Sequence, residues 1–350
     1  MITIKDVAAR AGVSPKTVSR VINGEAYVRP EVRASVERVV AELNYRPNAF
    51  ARSLSGSRSY LIGLFIDDPA SGYAADLQHG AMMRCRDRSY HLVVEPVDLS
   101  QPDWDARVRE GVAALRLDGA IVAPPICDEP ALTRLFEELG LPIVLVAPSV
   151  VPPSSGTVHM DDLGAARDMT EHLIGLGHRT IGFVQGPSHH RASARREEGF
   201  RQAMARAGID VDDSLILRGD FALRTGLELG ECLLSRANPP TAIFAANDDM
   251  ALGVLITAMK RGIPVPDALS ICGFDDAPSS RAAWPQLTTV RQPKAEMAAA
   301  AVDILVSARL RTSPADPDAH PLLPYQLIFR DSTGAAACTP PCRHHDADAA

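Results

Sequence analysis

Residues 3–24, TIKDVAARAGVSPKTVSRVING, predict two short helices joined by a tight turn. Helix start and stop signals occur in order along this stretch: the capping pair Thr3 and Asp6, then Gly12, then Ser14 with Pro15, then Asn23-Gly24. Two helices with so short a Gly-containing connection make a helix-turn-helix. A third helix is expected from about Pro30 to Leu43, whose valines fall at helical spacing and can cover the other two.

The charge of the chain is unevenly distributed. The whole sequence has a net charge of -7, which taken globally argues against a nucleic-acid-binding protein. Residues 1–58, however, hold ten basic and five acidic side chains, a net of +5, so the remaining 292 residues carry -12. This asymmetry is typical of a basic module that meets phosphate, attached to a body that does not.

The second helix leaves Lys16, Thr17 and Arg20 on its outer face. In a helix-turn-helix the start of the second helix enters the major groove, where Lys and Arg donate to guanine and hydroxyls hold phosphate. A solvated helix face is the alternative interpretation. The turn, the caps and the charge asymmetry together favour DNA binding.

The run at 3–24, with LNYRPNAFARSL at 43–54, resembles the DNA-binding head of the LacI/GalR family of bacterial transcription repressors. The resemblance implies that Pro15, Lys16 and Arg20 read bases and that Ser14 and Thr17 contact phosphate. It also implies a hinge helix that orders on operator DNA and places a leucine in the minor groove. The residues concerned are Asn48, Ala51, Arg52 and Leu54. An ordinary linker helix is the alternative. Arg29 stands where the family usually has a Ser or Thr cap for the third helix.

The body alternates apolar runs with helical stretches, which predicts parallel sheets of the doubly wound α/β class. The runs are 61–66, 91–97, 119–123, 143–147, 181–184, 242–246 and 270–274, and helical stretches include 74–88, 161–175, 194–207 and 248–261. These strands are too many for one sheet, so we expect two lobes with a ligand cleft at the strand ends.

The body also resembles the family's effector domain, which shares the fold of periplasmic sugar-binding proteins. The motifs are EHLIGLGHRTIGFVQGP (171–187), SARREEGFRQAM (193–204), FAANDDMALGVL (244–255), GFDDAP (273–278) and PQLTTVRQP (285–293). The resemblance implies that Asp275 and Arg196 grip the effector. Asn247 and Asp161 would lie beside them, Phe221 would pack on the ligand ring, and Tyr73 would approach from the amino-terminal lobe. Carboxylates, guanidinium and an aromatic face suit a sugar. For each residue alone, a structural ion pair or core aromatic is an equal alternative.

The implied organisation is an all-α head joined by a hinge to a two-lobed α/β domain. The expected boundaries are 1–47 for the head, 48–58 for the hinge helix and linker, 59–333 for the effector domain and 334–350 for a disordered tail. Within the effector domain they are 59–158 with 287–320 for the first lobe and 159–286 with 321–333 for the second.

Other patterns predict little chemistry. The pairs Asp67-Asp68, Asp248-Asp249 and Asp275-Asp276 resemble glycosidase carboxylates, but neighbours in extended chain point to opposite sides. His189-His190 could select a ligand or lie in an exposed loop. Cys338 and Cys342 with His344-His345 suggest zinc, yet they crowd into an Ala- and Pro-rich tail without leucine heptads. We expect no metal and no cofactor.

Four cysteines, Cys85, Cys127, Cys232 and Cys272, sit singly in apolar or helical context and predict buried reduced thiols. No stretch is apolar enough for a membrane span, so a cytoplasmic protein is expected.

The resulting hypothesis is a homodimeric, non-enzymatic repressor that binds a palindromic double-stranded operator. A small-molecule effector, a mono- or disaccharide, would release it. Release is favoured over co-repression because no second Arg or Lys cluster for an anion is evident in the predicted cleft. Outside this class, a sugar-binding transport protein would need an export signal and has no use for residues 1–58. A glycoside-processing enzyme would need a catalytic constellation that the sequence does not display.

Overall fold

The computed structural model describes residues 2–22, 27–45, 58–149, 155–188, 190–308 and 320–336. The chain divides into two compact units, Met1–Tyr60 and Leu61–Ala350.

The first unit contains three helices around a small core. They are α1 (Ile4–Ala11), α2 (Pro15–Ile22) and α3 (Pro30–Glu42). The core consists of residues at helical spacing: Val7, Ala8, Val18, Val21, Val36 and Val39. Gly12 follows α1 with φ 67°, the left-handed conformation that ends a helix and that glycine adopts without strain. The helix-turn-helix expected from residues 3–22 is therefore confirmed, whereas the expected stop at Asn23-Gly24 lies outside the described residues.

The caps of these helices differ in quality. The Asp6 carboxylate accepts hydrogen bonds from the Thr3 backbone N–H at 2.7 Å and from Thr3 Oγ1 at 2.8 Å. These bonds, the backbone one first, lower the pKa of Asp6. Arg29 occupies the N-cap position of α3 and makes no side-chain capping bond. The beginning of α3 thus lacks the side-chain hydrogen bonds that stabilise the beginning of α1.

The second unit is built on two parallel sheets, as the alternating pattern predicted. Lobe 1 has the strand order β11-β5-β4-β3-β1-β2, and lobe 2 has the order β7-β6-β8-β9. The lobe 1 strands are β1 (Leu61–Ile66), β2 (His91–Pro96), β3 (Gly119–Val122), β4 (Ile143–Val146), β5 (Gly156–Met160) and β11 (Leu322–Leu323). The lobe 2 strands are β6 (Ile181–Gln185), β7 (Ile216–Arg218), β8 (Ala242–Ala245) and β9 (Ser270–Cys272).

Helices cover both sheets. On lobe 1 these are α4 (Gly72–Asp87), α5 (Trp104–Leu115), α6 (Pro130–Glu138) and α12 (Lys294–Ala308). On lobe 2 they are α7 (Asp162–Gly175), α8 (Arg191–Arg206), α9 (Leu223–Leu234), α10 (Asp248–Lys260) and α11 (Pro278–Ala282). The doubly wound α/β class is confirmed.

A small antiparallel ribbon accompanies the crossings between the lobes. It pairs β10 (Thr289–Arg291) with β12 (Gln326–Ile328). Just before β12, strand β11 pairs with β5 of lobe 1, so this last segment runs from the lobe 1 sheet towards lobe 2.

The core of lobe 2 explains why the apolar runs predicted its strands correctly. Phe183, on β6, stacks on Phe200 at 4.9 Å and meets Phe244 edge-on at 5.3 Å, and all three are fully buried. Such contacts stabilise a core beyond the area they bury. The sequence did not predict β5 or β7, which are short and less uniformly apolar.

The cysteines follow the expected burial with one exception. Cys85, Cys127 and Cys272 are buried, and burial raises the pKa of each thiol, that of Cys85 to about 12. Cys232 is exposed, so the expectation of a buried thiol there is wrong. It lies on the outward side of α9, between the exposed Glu231 and the buried Leu233.

Candidate functional site

The amino-terminal end of α2 presents the residues predicted to contact DNA. Ser14 Oγ accepts the Thr17 backbone N–H at 3.1 Å and lies 2.9 Å from Thr17 Oγ1. Pro15, Lys16 and Arg20 are exposed. Val18 and Val21 on the same helix are buried in the three-helix core, so the polar face is directed outward. The geometry suits a recognition helix.

The predicted hinge helix falls on residues that the structure does not describe. Asn48, Ala51, Arg52 and Leu54 lie outside the described residues, and their roles stay predictions.

A buried ion pair lies where the two lobes meet. Arg196, on α8, is 4% exposed, and its Nε and one Nη each lie 2.9 Å from Asp162 Oδ1. Its other Nη donates to the Ala246 carbonyl at 2.7 Å. The guanidinium carbon lies 3.7 Å from the centre of the Phe274 ring, a cation–π contact. Burial raises the pKa of Asp162, although the Arg196 charge opposes the shift.

The acid paired with Arg196 is a residue that sequence reasoning missed. Asp161, the predicted effector residue, is exposed and caps α7, where its carboxylate accepts the Gly164 N–H at 2.9 Å. Its neighbour Asp162 faces Arg196 instead. The signal in the sequence was the Asp161-Asp162 pair itself. The motif alone does not reveal which of the two carboxylates faces inward. The role of Asp161 stays a prediction.

Asp275 follows β9 and is held by its backbone. Its N–H donates to the Val290 carbonyl at 2.7 Å, and its φ is 119°, a conformation that a non-glycine residue rarely adopts. Gln292 Nε2 donates to one carboxylate oxygen. Burial raises the pKa of Asp275, and the charges of Lys294 and Arg196 oppose that rise.

Tyr73 brings lobe 1 to the same place. Burial raises the pKa of its hydroxyl, and the nearby carboxylates of Asp162 and Asp275, both in lobe 2, add to that effect. Lys294, at the start of α12, lies 5.8 Å from the centre of the Tyr73 ring. The charges of Arg196 and Asp275 therefore act on Tyr73 in the structure, and the roles of all three in effector binding stay predictions.

Lys294 is a second cation at the cleft that the sequence reasoning did not identify. Its side chain is 4% exposed, and its Nζ lies 2.7 Å from Asp76 Oδ2. A single lysine that is already paired with a carboxylate is not the Arg or Lys cluster whose absence was expected, so that expectation stays a prediction. The signal available was a lysine at the start of a helix that otherwise reads as Ala-rich and apolar.

Phe221 and Asn247 lie at the ends of two neighbouring segments of lobe 2. Asn247 caps α10 by accepting the Met250 N–H at 3.0 Å, and its Nδ2 donates to the Phe221 carbonyl at 2.9 Å. The Phe221 ring meets the His190 ring edge-on at 5.1 Å. It also packs on Gly186, where a Cβ would overlap the ring. Asn247 therefore fixes the backbone of the aromatic residue predicted to touch the ligand.

A cavity of about 270 Å³ is lined in part by Asp161 and Asp162. Its polar lining comes from the strand ends and the first turns of α7 and α8: Ser149, His159, Asp161, Asp162, Arg191 and Arg195. Burial and the charge of His320 lower the pKa of His159. The cavity therefore offers both donors and acceptors, and its size suits a small polar molecule.

Two negative observations apply to the described ranges. They contain no group of three or more His, Cys, Asp or Glu side chains placed to hold a metal ion. They also contain no helix with the length and apolar character needed to cross a membrane. The Cys338–His345 cluster and His189 fall outside them.

Comparison with known proteins relates both units to one family. Residues 3–48 match the family model for bacterial regulatory proteins of the lacI family, and residues 170–333 match a periplasmic binding protein-like domain. The catabolite control protein A of Priestia megaterium is 34% identical over 336 residues, which cover 95% of this chain and 99% of that protein. The chain belongs to the LacI family.

Two solved structures of similar proteins extend the comparison. A lac repressor dimer bound to operator and the anti-inducer ONPF has a TM-score of 0.75 at 29% identity, covering 95% of this chain and 99% of that one. A complex of the transcriptional regulator CelR with cellobiose has a TM-score of 0.71 at 30% identity, covering 95% and 100%. This LacI-family member is therefore a DNA-binding transcriptional regulator, and its relatives are regulators rather than enzymes.

Proposed function

We propose that this LacI-family regulator is a repressor that binds a palindromic operator as a dimer and is released by a sugar. The observation that supports a sugar most is the matching of charges around Asp275. Arg196 is paired with Asp162, and Lys294 is paired with Asp76. Each buried cation is thus already compensated without an effector.

A neutral polyol fits this arrangement better than an anion does. An anion would have to compete for cations that already hold carboxylates, whereas Asp275 offers lone pairs to hydroxyl donors. Asp275 and Phe221 supply the acceptor and the aromatic face that a pyranose uses. The predicted site of Tyr73, Asp161, Arg196, Phe221, Asn247 and Asp275, with Asp162 and Lys294 added, is our proposed effector site.

Dimerisation is supported by exposed apolar side chains in the second unit. Met82 and Met83 on α4 are 51% and 44% exposed, and Met259 on α10 is 58% exposed. Met82 and Met83 are neighbours on one helix, and a contiguous exposed apolar patch is typical of a surface that binds another protein. Two heads related by a two-fold axis would read a palindrome, which one recognition helix is too short to specify.

The DNA-binding part is tested with two lysine variants of equal charge. Lys16→Ala removes a predicted base contact, and Lys5→Ala removes an exposed lysine from α1. We expect Lys16→Ala to lower the preference for operator over random DNA by about 1–3 kcal/mol, with Lys5→Ala leaving that preference unchanged. Equal preference in Lys16→Ala and the unmodified protein would refute the assignment.

The effector part is tested by thermal-shift titration with neutral mono- and disaccharides, sugar acids and sugar phosphates, because a bound ligand raises the apparent stability. We expect a neutral sugar to bind and to weaken operator binding. Asp275→Asn should abolish the response, and Asp249→Asn, an exposed neighbour on lobe 2, should keep it. Binding of sugar acids or phosphates alone would refute the neutral effector, and tighter operator binding with sugar would show co-repression.

A further inference from the structure

The turn that carries Asp275 has an unusual backbone. Asp275 and the next residue, Asp276, both have positive φ, at 119° and 50°, although neither is glycine. Such conformations are unfavourable for non-glycine residues and persist only when the surroundings hold them. The turn is therefore maintained by its contacts.

Asp276 is the anchor of this turn. Its side chain is 4% exposed, and it accepts hydrogen bonds from two arginines, Arg330 on one oxygen and Arg291 on the other at 2.8 Å. Arg330 also donates to the Leu287 carbonyl at 2.8 Å and to Ser280 Oγ at 3.1 Å. Burial alone would raise the pKa of Asp276, but the two arginines outweigh it and the pKa is lowered. The carboxylate is thus held in its charged, paired form.

Asp248 holds the residue that follows Asp276 in the turn. It is fully buried, and its two oxygens accept the Ala277 N–H at 2.7 Å and the Thr289 hydroxyl at 2.6 Å. The backbone that follows Asp275 is therefore held by two buried carboxylates, those of Asp276 and Asp248.

The position of Arg330 in the chain gives the anchor a second property. Arg330 lies two residues after β12, and β11, three residues before β12, belongs to the lobe 1 sheet. The same segment therefore leaves lobe 1, pairs with β10 and ends on the turn that presents Asp275. A movement of this segment relative to lobe 2 would therefore reach Asp275 through Asp276.

We propose that Arg330 is a positioning residue for the effector, which orients Asp275 through Asp276 and links the occupied cleft to the segment that connects the lobes. This inference deepens the proposed effector function and rests on it. Arg330 does not touch the effector; its role is exerted through the conformation of the turn.

The test compares Arg330→Gln with Arg261→Gln. Arg261 is a matched control on lobe 2, since it likewise contacts a carboxylate, a hydroxyl and a carbonyl: Glu231 at 2.5 Å, Ser235 at 2.8 Å and Leu234 at 3.1 Å. The probe is whichever neutral mono- or disaccharide raises the unfolding temperature of the unmodified protein most. We expect Arg330→Gln to raise its dissociation constant by roughly tenfold to a hundredfold, the equivalent of one charged hydrogen bond, and Arg261→Gln to change it less than about twofold.

Hydrogen exchange gives a readout without ligand. In Arg330→Gln we expect faster exchange at the Asp275 and Ala277 amides, with Arg261→Gln unchanged there, and unaltered operator binding in the absence of sugar. Arg330→Lys keeps the positive charge but lacks the several N–H donors of the guanidinium group, so it should show a smaller loss of sugar affinity. If Arg330→Gln does not fold, Arg330→Lys takes its place in the test. Unchanged sugar affinity and unchanged exchange at the turn would overturn the proposal. A panel in which no sugar binds the unmodified protein would contradict the proposed function instead, while exchange at the turn would still decide the role of Arg330.

Discussion

The Arg196–Asp162 pair allows the cleft to be tested through stability alone. The two side chains are 5% and 11% exposed, so water can do little for a charge left behind. Removing one partner of a buried pair costs about 3–5 kcal/mol, because the other charge stays uncompensated. We expect Arg196→Met, which can still pack on Phe274, to lower the free energy of unfolding by that amount at pH 7.

Asp162→Asn separates the contribution of the ion pair from that of the other contacts of Arg196. Asp162→Asn leaves the guanidinium with the Ala246 carbonyl and the Phe274 ring, so we expect the smaller loss of about 1.5–3 kcal/mol typical of a charged hydrogen bond. The double variant buries neither charge. Its loss should fall short of the sum of the single losses by roughly 0.5–3 kcal/mol.

The stability deficit of Arg196→Met should also depend on pH, through the pKa of Asp162. Without Arg196, burial raises the folded pKa of Asp162 further above its unfolded value, so the folded state takes up a proton more readily than the unfolded chain. The deficit of Arg196→Met should therefore shrink as the pH is lowered from 7 towards 5. Urea unfolding followed by far-UV circular dichroism measures all four members of the cycle. Additive losses, or a deficit in Arg196→Met that does not depend on pH, would refute the reasoning.

Three further outcomes are expected. Burial raises the pKa of Asp275, and its protonated form accepts fewer hydrogen bonds, so sugar affinity should fall on acidification at a higher pH than it would with an exposed aspartate. Isothermal titration calorimetry that gives the same sugar affinity from pH 7 to 4 would exclude this role of Asp275. Burial lowers the pKa of His178, so on acidification the unfolded chain binds the proton first and stability should decline as the pH falls below about 6.5. In His178→Gln the melting temperature should depend less on pH, and an unaltered dependence would contradict this. Gly186→Ala should displace the Phe221 ring at a cost of roughly 1–3 kcal/mol and so weaken sugar binding. Gly175→Ala is the control, because an added Cβ there meets open space, and it should leave sugar affinity unchanged. Equal sugar affinities in the two variants would show that Gly186 does not confine the Phe221 ring.

The fold could be predicted because its signals are local. Caps such as Ser14 with Pro15 fix where a helix begins, and uniformly apolar runs such as 242–246 mark strands buried on both faces. Strand β5 was missed because its GTVHM sequence mixes glycine and polar residues. Its place is decided by pairing with β4 and with β11, and β11 is distant in sequence.

The cleft could be predicted only in part, because its charges pair across the fold. Arg196 and Asp275 belong to motifs, but the partner of Arg196 depends on which of Asp161 and Asp162 turns inward after β5. That choice follows from Asp161 being used as the cap of α7. Lys294 is buried only because α12 packs on α4 beside Asp76, a contact between segments more than 200 residues apart.

The distribution of these contacts bears on how a sugar could switch the regulator. An effector shifts a two-state equilibrium only by its difference in affinity for the two states, and a change from 1:99 to 99:1 needs about 5.5 kcal/mol. Hydrogen bonds to charged groups contribute on the order of 1.5–3 kcal/mol each, so two or three contacts made in only one state are enough. Tyr73 belongs to lobe 1, and Arg196 and Asp275 to lobe 2, so a sugar that contacts all three binds fully only when the lobes are placed as they are here. Since the buried cations are already compensated by Asp162 and Asp76, an empty cleft has no strong charge imbalance that would close it by itself. The hydroxyl contacts of the sugar would then supply most of the energy of closure.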